Sequence, residues 1–283
     1  KIFIKFCLEC LEKSRLSCHD PKNNFRYLVN IQNYNNIAIS FIVCTMDNYD
    51  DLDATLRSLK NNLIIGDQIC IVDGSHSRES LLNIINRSGI DRSFIKHIHA
   101  PAKGVYNAIN IGIKRAINCW IHVLHSGDLM LENSLKIVRS SLLDGHDLYI
   151  CNQRYGPSVN SSALLISSKH SKIFPHQSII YRANLHINFG YYNEDNLLSS
   201  DQLFFRKIAD VASVKYLQVA LTFYNTNGIS SIYNREAFIN EWRLASSFNM
   251  RFLLIFKTIF KYSFSIESVH KLRRFKNYIK ERF

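Results

Sequence analysis

A strand with no polar alternation must be buried on both faces, and a parallel sheet layered between helices supplies that environment. Ile39 to Cys44 is such a run, apolar and rich in β-branched residues. The period then changes: from Asp50 onward, Leu52, Leu56, Leu59 and Leu63 recur at helical spacing. The alternation repeats, with strands at Gln68 to Val72, Phe94 to His99, Cys119 to His125 and Asp147 to Cys151. Helices are expected between them at Arg78 to Arg87, Val105 to Asn118 and Glu132 to Leu143. Strands alternating with helices imply right-handed crossovers, so an α/β fold with a mostly parallel central sheet flanked by helices is expected.

From Cys151 to about Phe174 the pattern is irregular and reads as a loop or a weak strand pair. A strand at Ser178 to Tyr181, a helix at Asp201 to Ala209, a strand at Val214 to Val219 and a helix at Glu236 to Phe248 follow. Residues 1–37, ending in Asn33-Tyr34-Asn35-Asn36, read as an N-terminal appendage and linker, 38–249 as one domain, and 250–283 as a basic amphipathic helical tail. In that tail Phe252, Ile255, Phe256, Ile259, Phe260 and Phe264 recur at helical spacing, and Lys271 to Arg282 adds positive charge. Such a segment fits either an anionic membrane surface or the domain's own core.

Thirty-five Lys and Arg against 23 Asp and Glu give a net charge of +12, which suits phosphate in any form. A nucleic-acid partner is not expected, because the tail's aromatics follow an apolar helical face rather than interleave with a basic groove. A nicotinamide dehydrogenase is disfavoured, since no G-x-G-x-x-G opens a helix after the first strand. The seven cysteines are irregularly spaced, and Cys44, Cys70 and Cys119 sit in apolar runs, as expected of a reducing, cytoplasmic compartment. Cys7, Cys10 and Cys18-His19 lack the second well-spaced pair of a zinc site. Lys5 and Glu9 interrupt the first apolar stretch, which does not read as a signal peptide, and no run approaches the ~18 apolar residues of a spanning helix.

Ligands of parallel sheets bind outside the carboxyl ends of the strands. There the sequence places Thr45 and Asp47, then Asp73-Gly74-Ser75, then Lys103-Gly104, then Ser126-Gly127-Asp128. Turns and helix N-caps use the same residue types, so any one of these loops is explained by local geometry alone. Four at one edge point to a site.

The order and content of these segments resemble family 2 glycosyltransferases of the GT-A fold, in particular enzymes of bacterial capsule, exopolysaccharide and lipopolysaccharide assembly. The resemblance is carried by Ile39 to Thr45, Thr55 to Leu59, Ile71 to Ser75, Lys103 to Ile113 and Val123 to Asp128, and then by His176-Gln177-Ser178, Gly190 to Glu194 and Ser200-Asp201. It implies an inverting enzyme that moves a sugar from a nucleoside-diphosphate donor to a glycan or lipid-linked acceptor. By the same resemblance Asp73 contacts the donor base, and Thr45, Asp47, Ser75, Lys103, Gly104, Asn107, Asn110 and Ser126 complete the donor site. Asp128 would hold a divalent cation, Mg²⁺ or Mn²⁺, against the pyrophosphate. Asp201 would be the catalytic base, a role compatible with its place at a helix start, and His176 and Gln177 would lie on the acceptor side. A cytoplasmic enzyme resting peripherally on the inner membrane face would reach a lipid-linked acceptor.

The chain departs from the family pattern at three positions and in the Cys151 to Gly156 region, which does not match the expected acidic loop. Ser126 replaces an acidic residue, Asn107 stands where Asp is usual, and His125 where Asn is frequent. The alternative reading is therefore a catalytically degenerate protein of the same fold that acts as a membrane-associated binding partner.

Overall fold

The computed structural model describes residues 37–76, 79–156, 159, 164–166, 174–196 and 199–226. The expected appendage up to residue 36, the helix at Glu236 to Phe248 and the tail at 250–283 lie outside them.

Strands β1 (Ile39–Thr45) and β2 (Gln68–Asp73) are buried along their whole length. Between them α1 (Tyr49–Lys60) opens at Asn48, whose side chain accepts from Asp51 N–H, and carries Asp50 and Asp51 in its first turn. Leu52, Leu56 and Leu59 form its buried face. The chain continues through α2 (Glu79–Ser88), β3 (Ile95–His99), α3 (Val105–Ile113), β4 (Trp120–Val123), β5 (Leu129–Met130) and α4 (Ser134–Ser141). Then come β6 (Leu148–Gly156), β7 (Leu164–Ile166), β8 (Ile179–Arg182), α5 (Asn184–Phe189), α6 (Ser200–Ala209) and β9 (Val214–Asn225). The strand order is β3-β2-β1-β4-β8-β6-β9-β5, with β7 beside β6.

Alternate residues of β1 point to opposite layers. Ile39, Phe41 and Val43 join the core containing Leu52, Leu56 and Leu59, while Ile42 and Cys44 join the core containing Ile109, Ile113 and Phe205. Each fully buried aliphatic side chain contributes on the order of 1.5–3 kcal/mol. Helix α3 lies close on the sheet at Gly112, where a Cβ would fall 2.4 Å from Ile42 Cγ2. Only glycine permits that approach.

The parallel pairing expected from the alternation holds for β3, β2, β1 and β4. Beyond β4 the sheet is mixed: β8 is antiparallel to both β4 and β6, β6 is parallel to β9, and β9 is antiparallel to β5. Helix α3 ends five residues short of the expected Asn118. There Ile117 and Asn118 N–H both turn to Ser40 Oγ at 3.2 and 3.1 Å, and the side chain at the start of β1 competes for the donors the helix would need. Strand β9 runs past the expected Val219 to Asn225, because β6 also extends and pairs with it to the end.

Candidate active site

The first three strand ends are laced together. Thr45 is opposite Asp73, Gly74 N–H donates to Thr45 O, and Ala100 N–H donates to Asp73 O, both at 3.0 Å. Asp73 is fully buried, and its Oδ1 accepts from Ser75 N–H at 2.9 Å. Its Oδ2 is buried with no hydrogen-bond partner among the described residues, and His97 Nε2 is 3.8 Å away. An unsatisfied buried acceptor costs about 1–3 kcal/mol, which a ligand N–H would recover. Ser75 Oγ accepts from Asp47 N–H at 2.7 Å. Asp47, held in the left-handed region at φ 50°, accepts from His76 Nδ1 at 2.8 Å and His76 N–H at 3.1 Å. These bonds, led by the one from the His76 ring, hold the Asp47 carboxyl below its usual range.

The turn after β4 is organised by one hydroxyl. Thr55 Oγ1, on α1, donates to Asp128 O at 2.8 Å and accepts from Gly127 N–H at 2.9 Å. Ser126 Oγ donates to Asn48 O at 3.2 Å. Asp128 is buried, with Asn225 N–H donating to its Oδ1 at 3.0 Å. Burial pushes the Asp128 carboxyl up to about 8; the Asn225 bond opposes this and the charge of Asp51 adds to it. Its ionised form therefore lacks compensating positive charge. No group of three or more His, Cys, Asp or Glu side chains gathers as a metal site among the described residues. A single buried carboxylate beside a second one fits a hard cation that takes its other oxygens from phosphate and water.

Lys103 and Gly104 lie exposed before α3, with Gly104 at φ 101°. The next turns of α3 carry Asn107 and Asn110, whose amides donate to Glu194 Oε2 at 2.7 Å and Oε1 at 2.9 Å. Asn110 also clasps the Tyr192 backbone, donating to its O at 2.9 Å and accepting its N–H at 3.1 Å. The Asn110 and Asn107 bonds, then Lys114 and Lys103, hold the Glu194 carboxyl low.

Asp201 lies in the first turn of α6 and is buried. Tyr106 OH, from α3, donates to its Oδ1 at 2.6 Å, and Gln202 Nε2 to its Oδ2 at 3.1 Å. His176 Nδ1 stands 3.7 Å from Oδ2. The His176 ring packs edge-on against His125, centroids 6.0 Å apart, and its Nε2 meets Tyr192 OH at 3.1 Å. Burial pushes His176 down to about 3, helped by His122 and His186. His125 is pushed to about 4 by burial and by His176, against the pull of Asp201. Gln177 lies beside this group, half-buried, and accepts from Gln153 Nε2 at 3.3 Å.

Two assemblies result. Thr45, Asp47, Asp73 and Ser75 share one, with Ser126 tied to the neighbouring loop through Asn48 O and Asp128 tied to α1 through Thr55. Asp201 and His176 share the other, with Tyr106 joining it to the helix that follows Lys103 and Gly104. Sequence reasoning missed Tyr106, Tyr192, Glu194 and Asp51 as members of these groups. Tyr106, Tyr192 and Glu194 stood inside the motifs it singled out, but nothing local revealed their partners.

The model of the family described as Glycosyl transferase family 2 matches residues 40–208, more than half of the chain. A PGL/p-HBAD biosynthesis glycosyltransferase of Mycobacterium bovis BCG is 24% identical over 230 residues, covering 76% of this chain and 88% of that protein. An uncharacterised glycosyltransferase of Mycobacterium tuberculosis is 22% identical over 228 residues, covering 76% and 85%. Among solved structures, S. aureus TarS 1–349 in complex with UDP-GlcNAc superposes with a TM-score of 0.61 at 19% identity, over 73% of this chain and 65% of that one. The matched region spans only 36% of the longer TarS chain. The mannosyltransferase PcManGT of Pyrobaculum calidifontis, in complex with GDP-Man and Mn²⁺, gives a TM-score of 0.52 at 12% identity over 77% and 64%. These neighbours share the GT-A fold, and this chain belongs to glycosyl transferase family 2.

Proposed function

We propose that the chain transfers a sugar from a nucleoside-diphosphate donor to a hydroxyl of a glycan or lipid-linked saccharide, with inversion at the anomeric carbon. Asp73 accepts an N–H of the donor base through its unsatisfied Oδ2, and Thr45, Asp47 and Ser75 line the nucleotide pocket. Lys103 and the amino end of α3 at Gly104 face the diphosphate, where a positive side chain and free backbone N–H groups favour anions. Asn107 and Asn110 shape that side by holding Glu194, and Ser126 holds the loop before Asp128. Asp128 would hold the divalent cation, with Asp51 nearby. When bound, that ion would neutralise charge on the departing diphosphate. Asp201 deprotonates the acceptor hydroxyl, which attacks in line, and His176 and Gln177 flank it. UDP-GlcNAc and GDP-Man with Mn²⁺ in the neighbouring structures support a nucleotide-sugar donor and a metal.

The observation that carries the reading is the 2.6 Å bond from Tyr106 to Asp201, which ties the proposed base to the helix of the proposed diphosphate loop. Titrating UDP, GDP, CDP and dTDP calorimetrically, with and without Mn²⁺, tests it. One diphosphate is expected to bind in a metal-dependent manner, and Asp128→Ala to abolish that dependence. No binding by the folded protein would overturn the transferase reading in favour of a degenerate relative.

No described helix is long and apolar enough to cross a membrane. Contact with an anionic surface through the basic sequence at 250–283 belongs to the same proposal. Co-sedimentation with anionic vesicles, reduced by replacing the basic residues between Lys271 and Arg282 with Gln, is the expected result.

A further inference from the structure

We propose that His176 is a positioning residue whose Nδ1 lone pair, fixed by a chain of buried hydrogen bonds, accepts a hydrogen bond from Asp201 once Asp201 has taken the acceptor's proton. The inference rests on the reading of Asp201 as the base.

Gly190 O can only accept, so His186 Nδ1, 3.1 Å away, carries a hydrogen. His186 is buried and pushed down to about 4, hence neutral, which leaves Nε2 as an acceptor. Tyr181 OH, at 3.0 Å, must donate to it. Tyr181 has then spent its only hydrogen, so Tyr192 OH donates across the 3.2 Å contact between the two phenols. Tyr192 in turn has none left, and the 3.1 Å bond between Tyr192 OH and His176 Nε2 is donated by His176. Buried His176 is neutral as well, so its hydrogen is on Nε2 and Nδ1 bears the lone pair.

That lone pair meets Asp201 Oδ2 at 3.7 Å, beyond hydrogen-bond distance, as two acceptors should. Among the described residues the groups around the pair give no competing donor to Nδ1: Tyr106 from α3 donates to Asp201 Oδ1, and Gln202 from α6 donates to Oδ2. His125, after β4, presents its ring edge-on, and His122 of β4 donates to Ile179 O. During transfer the acceptor oxygen bonds to the anomeric carbon. The bond from that carbon to the diphosphate oxygen breaks, and its electron pair leaves with the diphosphate. The hydroxyl proton moves to Asp201. A proton on Oδ2 converts an acceptor–acceptor contact into O–H···N, and the gap closes to an ordinary ~2.8 Å. A hydrogen bond made only by the protonated carboxyl raises its affinity for the proton. His176 thus favours the form of Asp201 that exists after proton transfer.

Histidine-selective ¹⁵N NMR of the whole chain at pH 7.5 tests this without any nucleotide. The expected wild-type spectrum has His176 neutral with its hydrogen on Nε2 and His186 neutral with its hydrogen on Nδ1. In Asp201→Asn the amide N–H stands in for the protonated oxygen. The His176 Nδ1 resonance is then expected to shift as its lone pair becomes hydrogen-bonded, with His186 unmoved. Tyr192→Phe removes the hydroxyl that fixes the tautomer, and a mixture of the two His176 tautomers is expected. A wild-type His176 carrying hydrogen on Nδ1, or charged, would overturn the proposal, as would an unshifted Nδ1 in Asp201→Asn. Failure of the donor reading shows separately, as absent nucleotide binding with the tautomers intact.

Discussion

Strands β3, β2, β1 and β4 run parallel and end in short loops whose polar groups are tied one strand to the next, while β8, β6 and β9 back a buried knot of tyrosine, histidine and Asp201. On the first side Asp73 keeps a carboxylate oxygen without a hydrogen-bond partner among the described residues. On the second, Asp201 has a donor on each oxygen and a directed hydrogen-bond chain beside it. One side is built to be completed by a ligand, and the other holds its reactive group in a fixed orientation.

The sharpest way to separate the two sides is Asp201→Asn. Loss of a general base predicts a fall in kcat of about 10²–10⁴-fold, with diphosphate affinity in calorimetry unchanged. Arg139→Ala attacks the foundation of the parallel side. Buried Arg139 pairs with buried Asp67 at 2.6 Å, and Asp67 Oδ1 also accepts Ile39 N–H at 2.8 Å at the start of β1. Stranding that carboxylate is expected to cost about 3–5 kcal/mol in urea unfolding, and Asp67→Asn in the same background should recover part of it. Asp73→Asn should do the converse of Asp201→Asn, weakening diphosphate binding by about ten- to a hundredfold with kcat at saturating donor preserved.

Acid acts in small increments spread over several groups, and it falls on the other side. His122, His176 and His186 are held at about 4, 3 and 4, below the ordinary imidazole value, chiefly by burial. The unfolded chain therefore binds protons that the folded chain refuses. Stability is fully present well above pH ~6.5 and declines as the pH falls towards 4, by about 1 kcal/mol per histidine at pH 6 and about 2 kcal/mol per histidine at pH 5. Hydrogen exchange at pH 7 and pH 5 should show β8 losing protection before β2.

The same division decides what could be read from sequence. Ile39 to Thr45 and Gln68 to Asp73 announce themselves because each is buried on both faces and followed by a helical period, so the strand ends bearing Thr45 and Asp73 were legible. The second side depends on pairings that no local period encodes. Tyr106 meets Asp201 across 95 residues, and Asn107 meets Glu194 across 87. Asp128 was identifiable as a candidate from its motif, but the carboxylate that repels it, Asp51, sits in a helix whose acidic first turn looks like ordinary capping. The mixed direction of β8 was equally hidden, since an irregular excursion carries no signal of where its chain returns.

Thr55 has a consequence for anyone who would recombine this molecule with its relatives. Its hydroxyl, on the first helix, is bonded to both Gly127 and Asp128, 72 and 73 residues further along. The loop of Asp128 is therefore not a transplantable cassette. A chimera that exchanges residues 126–128 inherits its geometry from the recipient's helix, and the unit of exchange has to include α1 together with the turn.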